Sequence, residues 1–289
     1  MKAQRIEVRK TAKLYIGGAF VRSESGRTFG HRQAGDVVQV ARGSRKDVRD
    51  AVRAARAAWP GWRARSGYNR GQILYRLAEM MESGRRQFER VRTAHGSSAR
   101  TAAKEVDCAI DRVTWYAGWC DKIEQWLSTK NPVASAHFNV SAPEPMGVVG
   151  VVAPDAPALL GLVSVLAPVL CGANAAVVIA SQVDPLSAVA LAEALANSDV
   201  PPGVANILTG YRADLVPPLA GHMDVNALDL WNPDEASAVQ AAEQACENLK
   251  RVQRHQRSTT AAWYGDAGQS PRAIQSFMEI KTVWHPAGV

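Results

Sequence analysis

The sequence has few cysteines, and they are poorly placed for joint chemistry. Cys108, Cys120, Cys171 and Cys246 form no CxxC pair, and no histidine lies at zinc-ligand spacing from any of them. A disulfide framework or a zinc ribbon is therefore not expected. Cys120 and Cys171 fall in apolar helical patterns and read as buried thiols. No apolar run approaches bilayer length: the best candidate, Val148–Ala153, is followed at once by Pro154, Asp155 and Pro157. The basic stretch Met1–Lys10 has no apolar segment behind it, so it does not read as a secretory signal, and a cytoplasmic location is the expectation. The net charge of +7 comes without RNP, helix-turn-helix or zinc-finger signatures. Arginines scattered over the first 112 residues read as solvated helix faces, and no nucleic-acid partner is expected.

What is present is an α/β pattern. Leu14–Val21 reads as a hairpin turned by Gly17-Gly18. Ser44 is positioned to cap a helix through Val48, Val52, Ala55 and Trp59, with Pro60-Gly61 as its stop. A second helix runs through Ile73, Leu77 and Met80-Met81 to Gly84. The longest is expected from about Thr101, with Val106, Ile110, Val113, Ala117, Cys120, Ile123 and Leu127 on one stripe and Asn131-Pro132 as the break.

The second half alternates. Short apolar runs at Val148–Ala153, Ala175–Ala180, Ala205–Leu208 and Ala227–Trp231 are separated by helical stretches at Leu159–Cys171, Pro185–Ala196 and Arg212–Gly221. Another helical stretch follows, from Asp234 to Leu249. This rhythm implies βαβ units and a doubly wound parallel sheet. Such sheets bind ligands at the carboxyl ends of their strands, commonly through G-x-G-x-x-G after the first strand. Here that loop is Ala153-Pro154-Asp155-Ala156-Pro157 and contains no glycine.

Several segments, in order and spacing, carry a resemblance. They are Pro145–Val152, Pro185–Ala188, Pro202–Gly210, His222–Val225, Tyr116–Trp119 with Asp121–Ile123, and Glu279–Val283. The chain resembles the aldehyde dehydrogenase superfamily over roughly Lys13–Leu249 plus the tail. It looks most like the degenerate second module of family-16 aldehyde dehydrogenases, which also reads Pro-Asp in the first loop and ends near Trp-x-Pro, here Trp284-His285-Pro286. The resemblance implies a Rossmann-like NAD-binding-type domain from residues 1–130 and 147–258. It also implies oligomerisation strands within 131–146 and 272–289, notably His137–Ser141 and Glu279–Trp284.

The resemblance also implies what is missing. The family's oxyanion-hole asparagine, in P-W-N-F-P, falls on Ala156, which has no donor. The general base of E-L-G-G-K falls on His255, and its paired glycines on Arg257 and Ser258. Only roughly 30 residues follow, so the nucleophile's catalytic domain is expected to be absent. The ribose-binding K-P-x-E falls on Ile179–Gln182, losing the lysine at Ile179 and the acid at Gln182. The F-T-G-S motif falls on Leu230–Pro233, with Asn232 and Pro233 in place of its last two residues. Cys246 with His255 is too weak a pair to read as nucleophile and base. Trp115, Trp119 and Trp126 at helical spacing read as packing residues.

The expected function is therefore a non-catalytic subunit that binds no nicotinamide cofactor strongly and no metal. It would form a hetero-oligomer with a full-length aldehyde dehydrogenase through Ile280, Lys281, Thr282, Val283 and Trp284. A chain without the accepting domain could not satisfy its own donor strands in a homodimer. The alternative is an NAD(P)-dependent aldehyde oxidoreductase subunit that works only with a partner's catalytic residues.

Overall fold

A computed structural model describes residues 10–256 and 259–287. Met1–Arg9, Arg257 and Ser258 lie outside the described residues. The chain opens with the hairpin β1 (Leu14–Ile16) and β2 (Ala19–Val21). Gly17 and Gly18 have φ of 61° and 82°, the positive values that a two-residue turn of this twist demands. A second hairpin follows, β3 (Thr28–Gln33) and β4 (Asp36–Ala41), which the sequence pattern does not predict. Its turn places Ala34 at φ 49° and Gly35 at φ 85°.

Four helices come next: α1 (Arg45–Arg63), α2 (Gly67–Ser83), α3 (Arg85–Ala94) and α4 (Ala99–Ala117). Ser44 caps α1 reciprocally: its hydroxyl accepts from the Asp47 N–H, and the Asp47 carboxylate accepts from the Ser44 N–H at 2.7 Å. Pro60 does not stop α1 as expected; the helix continues to Arg63 because Trp62 is fully buried and its indole donates to the Leu170 carbonyl at 3.2 Å. Packing outweighs the missing N–H. The long stripe is also divided. Helix α4 ends at Gly118, and α5 (Ile123–Leu127) and β5 (Thr129–Asn131) are separate elements before Asn131-Pro132. Helix α3 is a further element not predicted.

Then come β6 (His137–Pro145), β7 (Val148–Val152), α6 (Ala158–Cys171), β8 (Ala175–Ile179), α7 (Pro185–Ala196), β9 (Ala205–Leu208) and α8 (Arg212–Ala220). These are followed by β10 (Ala227–Trp231), α9 (Glu235–Ala245) and β11 (Arg251–His255). The chain closes with α10 (Thr260–Trp263), α11 (Pro271–Gln275) and β12 (Met278–Pro286). The alternating half thus matches the expected runs to within a few residues.

The central sheet has the order β11-β10-β7-β8-β9-β1-β2. Strands β7–β11 are parallel, while β1 joins β9 antiparallel, so the sheet is mixed at one edge. Each of β7 and β8 is buried along its whole length. One core packs α2, α4, α6 and α7 against the sheet; the other packs α1 and α8 on the opposite face. Helix α6 is buried at every position, which accounts for its uniformly apolar sequence.

A three-stranded sheet, β12-β6-β5, stands apart. It joins the core where β6 runs into β7 through Met146 and Gly147. Gly147 has φ 132°, and a Cβ there would meet Asn226 Oδ1 at 2.3 Å, so only glycine fits. Its N–H donates to Asn174 Oδ1 at 2.8 Å, while the next N–H, of Val148, donates to Asn226 Oδ1 at 3.0 Å. No helix among the described residues is long and apolar enough to cross a membrane.

The cysteines are free thiols. Cys120 and Cys171 are both buried with sulfurs 3.5 Å apart, and burial pushes the Cys171 thiol well up. Cys108 is half-buried and also raised by burial, whereas Cys246 is exposed. Thiolate is the reactive form, so a disulfide-exchange reagent added to native protein should label Cys246 fast and Cys108 slowly. Cys120 and Cys171 should react only with unfolding. Labelling of Cys171 at the rate of Cys246, followed by peptide mapping, would contradict this packing.

Candidate functional site

The order of the parallel strands reverses at β7: the chain moves outward through β8 and β9, then returns to place β10 on the other side. Beyond the carboxyl ends at such a reversal lies the ligand crevice of this architecture. A cleft of about 170 Å³ opens there, lined by Val152, Arg212, Trp231, Asn232, Pro233 and Gln244 among others. That is below the roughly 300–1,000 Å³ of a typical small-molecule site.

The crevice is spanned by a charged clasp. Asp155, in the loop after β7, accepts from Arg212 Nη1 at 2.9 Å and Nη2 at 3.0 Å, and from Ser181 Oγ at 2.9 Å. Arg212 Nη2 also donates to the Ala153 carbonyl at 2.6 Å. Arg212 is the first residue of α8, and its backbone N–H donates to Gln182 Oε1 at 3.3 Å. Three loops are therefore tied by a fork-on-carboxylate contact, the geometry in which arginine binds acids most firmly.

Helix N-termini are the anion-binding feature of such crevices, and here they meet the chain's own carboxylates. At α9, Asp234 accepts from the Ser237 N–H at 2.9 Å and hydroxyl at 2.7 Å, and these bonds hold its carboxyl below the usual carboxylate range. At α6, the Leu159 and Leu160 N–H groups donate to Glu105 Oε1 at 2.9 and 3.3 Å.

On the far side, Trp231 stacks on His255 with ring centroids 3.9 Å apart and planes 8° from parallel. Buried Asp229 sits beneath both: its Oδ2 accepts from the Trp231 indole at 2.9 Å, and its Oδ1 lies 2.8 Å from His255 Nε2. Trp263 leans on the same indole at 4.8 Å. Asn232, at φ 52°, turns the chain and donates its N–H to the His255 carbonyl at 3.0 Å.

The residues singled out from sequence are thus only partly assembled. Ala156, Gln182, Asn232, Pro233 and His255 lie in the strand-end loops or at a strand's last residue. Ile179 is fully buried at the end of β8, in the core beside Leu208 and Leu230. His255 ends strand β11, whereas Cys246 lies in the helical turn before that strand, its thiol facing the Ala242 carbonyl. Cys246 follows the last residue of α9 as expected, whereas His255, expected near the end of the same helix, is the last residue of β11, so the two are at opposite ends of that strand. Arg257 and Ser258 lie outside the described residues. Trp115, Trp119 and Trp126 form a ring contact series at 5.5 and 5.8 Å. The Asp155–Arg212 clasp and Asp229 were not singled out, because nothing local in the sequence marks two residues 57 positions apart as partners.

Comparison with known proteins agrees with this geometry. The family model described as the aldehyde dehydrogenase family matches residues 21–262. The chain belongs to that family. It is 31% identical over 248 residues to cytosolic aldehyde dehydrogenase 1 of Elephantulus edwardii, covering 83% of this chain and 49% of the relative. To retinal dehydrogenase 2 of Mus musculus it is 30% identical over 251 residues, covering 84% and 48%. Among solved structures, PnpE from Pseudomonas sp. WBC-3 superposes with a TM-score of 0.80 at 28% identity, over 86% of this chain and 51% of that one. HpcC from Thermus thermophilus gives 0.79 at 28%, over 86% and 48%. This aldehyde-dehydrogenase-family chain spans about half the length of the curated relatives it matches.

Arg212→Ala would leave Asp155 with the Ser181 hydroxyl as its remaining side-chain partner. Both members of the clasp retain some solvent, so the expected loss is about 1–2 kcal/mol rather than the full cost of an orphaned interior charge. Urea denaturation of R212A, D155A and the double variant would measure the coupling; additive effects would show that the clasp contributes nothing.

Proposed function

We propose that this chain is a non-catalytic aldehyde-dehydrogenase-type subunit that assembles with, and stabilises or regulates, a full-length aldehyde dehydrogenase. The observation that carries this reading is strand β12. It pairs along its whole length with β6, from Met278 opposite Pro145 to Pro286 opposite His137, and its other edge has no strand beside it among the described residues. Ile280 is 49% exposed, Val283 51% and Trp284 57%, and Phe138 and Val140 on β6 are exposed beside them. Long edges carrying large apolar side chains are covered in stable proteins, and strand addition is a direct way to cover them. Lys281 and Thr282 lie on the same strand as its polar positions.

The crevice supports the non-catalytic half of the proposal. Ala156 offers a methyl group where the family resemblance expects an amide donor, and His255 is engaged with Trp231 and Asp229. A dinucleotide's pyrophosphate would meet the carboxylates of Asp155 and Asp234 close to the helix ends that ordinarily attract it. These residues are a poor fit for NAD, although a homologous structure, PnpE, is described in complex with nicotinamide adenine dinucleotide. Weak or lost cofactor binding, a cytoplasmic location and hetero-oligomerisation belong to the same proposal.

Three measurements test it. Titrating NAD+ into the chain by calorimetry should give no saturable binding in the micromolar range, which would correspond to about −8 kcal/mol. Aldehyde oxidation by the chain alone should also be undetectable. Micromolar affinity, or turnover lost on Cys246→Ala or Cys171→Ala, would overturn the non-catalytic reading. Separately, co-expression with an intact aldehyde dehydrogenase should yield a mixed oligomer by sizing. Removing residues 280–289, or introducing Val283→Asp and Trp284→Asp, should abolish it. A stable monomer indifferent to the partner, or a complex that survives both changes, would defeat the assembly reading.

A further inference from the structure

Away from the crevice, the β3–β4 hairpin docks on the carboxyl end of α3. The Ala34 N–H donates to the Ala94 carbonyl at 2.9 Å and Gln33 Nε2 to the Val91 carbonyl at 3.2 Å. This docking brings His31 of β3, His95 at the end of α3 and Asp184 at the start of α7 together. A ring nitrogen from each histidine and a carboxylate oxygen all lie within 4.8 Å of one another. The two imidazoles are near-parallel, 14° apart, with centroids at 5.4 Å. His31 is only 7% exposed, and its Nε2 is buried without a hydrogen-bond partner. A buried imidazole nitrogen with nothing to bond is costly unless a partner arrives.

The charge balance around Asp184 points to what that partner is. Arg92 Nε donates to Glu105 Oε2 at 2.8 Å, and Arg92 Nη1 to Asp184 Oδ2. One guanidinium is therefore shared by two buried carboxylates. Each carboxylate also caps a helix, α6 through Glu105 and α7 through Asp184, but one formal negative charge is left over in the interior. Asp184 Oδ1 has only a long 3.4 Å contact with the Ser187 N–H, so it keeps a lone pair to offer.

We propose that His31, His95 and Asp184 form a site for a first-row divalent cation of the zinc type, which clamps the β3–β4 hairpin to α3 and α7. Two imidazoles and a carboxylate are a recognised donor set for such ions, with water completing the coordination. Bonds of about 2.0–2.2 Å in a tetrahedral arrangement place ligand atoms about 3.3–3.5 Å apart. The site must therefore close by roughly an ångström from its present spacing. His95, at the carboxyl end of α3 and half-exposed, is the least enclosed of the three and is the ligand that would move, whereas His31 and Asp184 are buried. Coordination through Nε2 would give the orphaned His31 nitrogen a partner and set positive charge beside Asp184.

The test uses the full chain, stripped with chelator and titrated with zinc chloride by calorimetry. Cobalt(II) uptake is followed in parallel by its ligand-field absorption. One saturable zinc per chain is expected, with a raised melting temperature in its presence and cobalt bands of a nitrogen–oxygen site. His95→Gln and His31→Gln should each weaken zinc by about tenfold or more, while His222→Gln should bind as the unmodified chain does. His95 is not packed in the core, so H95Q stays informative even where H31Q loses stability. No saturable uptake, or uptake unchanged in H95Q, would mark an adventitious ion only and overturn the proposal.

Discussion

The guanidinium of Arg92 lies where four helices meet. It projects from α3, is gripped by Glu105 of α4 and Asp184 at the head of α7, and through Glu105 is linked to the first N–H groups of α6. A second buried arginine, Arg112, joins α4 to α6 through the Ser164 hydroxyl at 3.0 Å. An ion triad of this kind costs desolvation, offset in part because Glu105 Oε1 accepts from the first N–H groups of α6 and Asp184 Oδ2 accepts from the Ser187 hydroxyl as well as from Arg92. Removing one member would strand a charge at a cost of about 3–5 kcal/mol. The triad joins α3, α4, α6 and α7 at one point of an otherwise apolar layer.

The same internal satisfaction governs the crevice. In an α/β sheet of this order the strand-end loops and helix heads form a concave surface of unsatisfied donors, ready for an anion. This chain satisfies them internally, with Asp155 on Arg212 and Asp234 on its own helix. Trp231 and His255 form a stacked pair on one wall of the cleft that is left. Electrostatic complementarity is thus directed inward. A surface arranged so has its charges paired within the chain.

How much could be read in advance followed from which interactions are local. The alternating half was legible because its buried strands are short continuous apolar runs separated by helix-length segments. The first hairpin was legible because Gly17-Gly18 announces its turn. The second hairpin was hidden: Ala34-Gly35 is a poor turn signal, and Thr28–Gln33 is half polar because His31 and Gln33 point to partners far along the chain. Helix α1 overran Pro60 because Trp62 has a place to go that lies on α6, more than a hundred positions away. The crevice was legible only as a set of missing residues. What replaced them, a clasp joining positions 155, 181 and 212 and a stack joining 231 and 255, depends on tertiary proximity that no local pattern encodes.

Gly147 has a mechanical consequence. Strand β6 becomes β7 across two residues, and that junction is fixed by Asn174, Asn226 and Arg56 Nη2, which donates to Asn226 Oδ1 at 2.7 Å. The outlying sheet is therefore a stiff lever welded to the amino end of the central strand, not an arm on a hinge. The crevice lies at the other end of β7, five residues or about 17 Å away. The sheet is tied at a second point, since Arg251 at the amino end of β11 donates to the Ser276 and Met278 carbonyls, so a load on it reaches the crevice along β7 and along β11, which ends at His255.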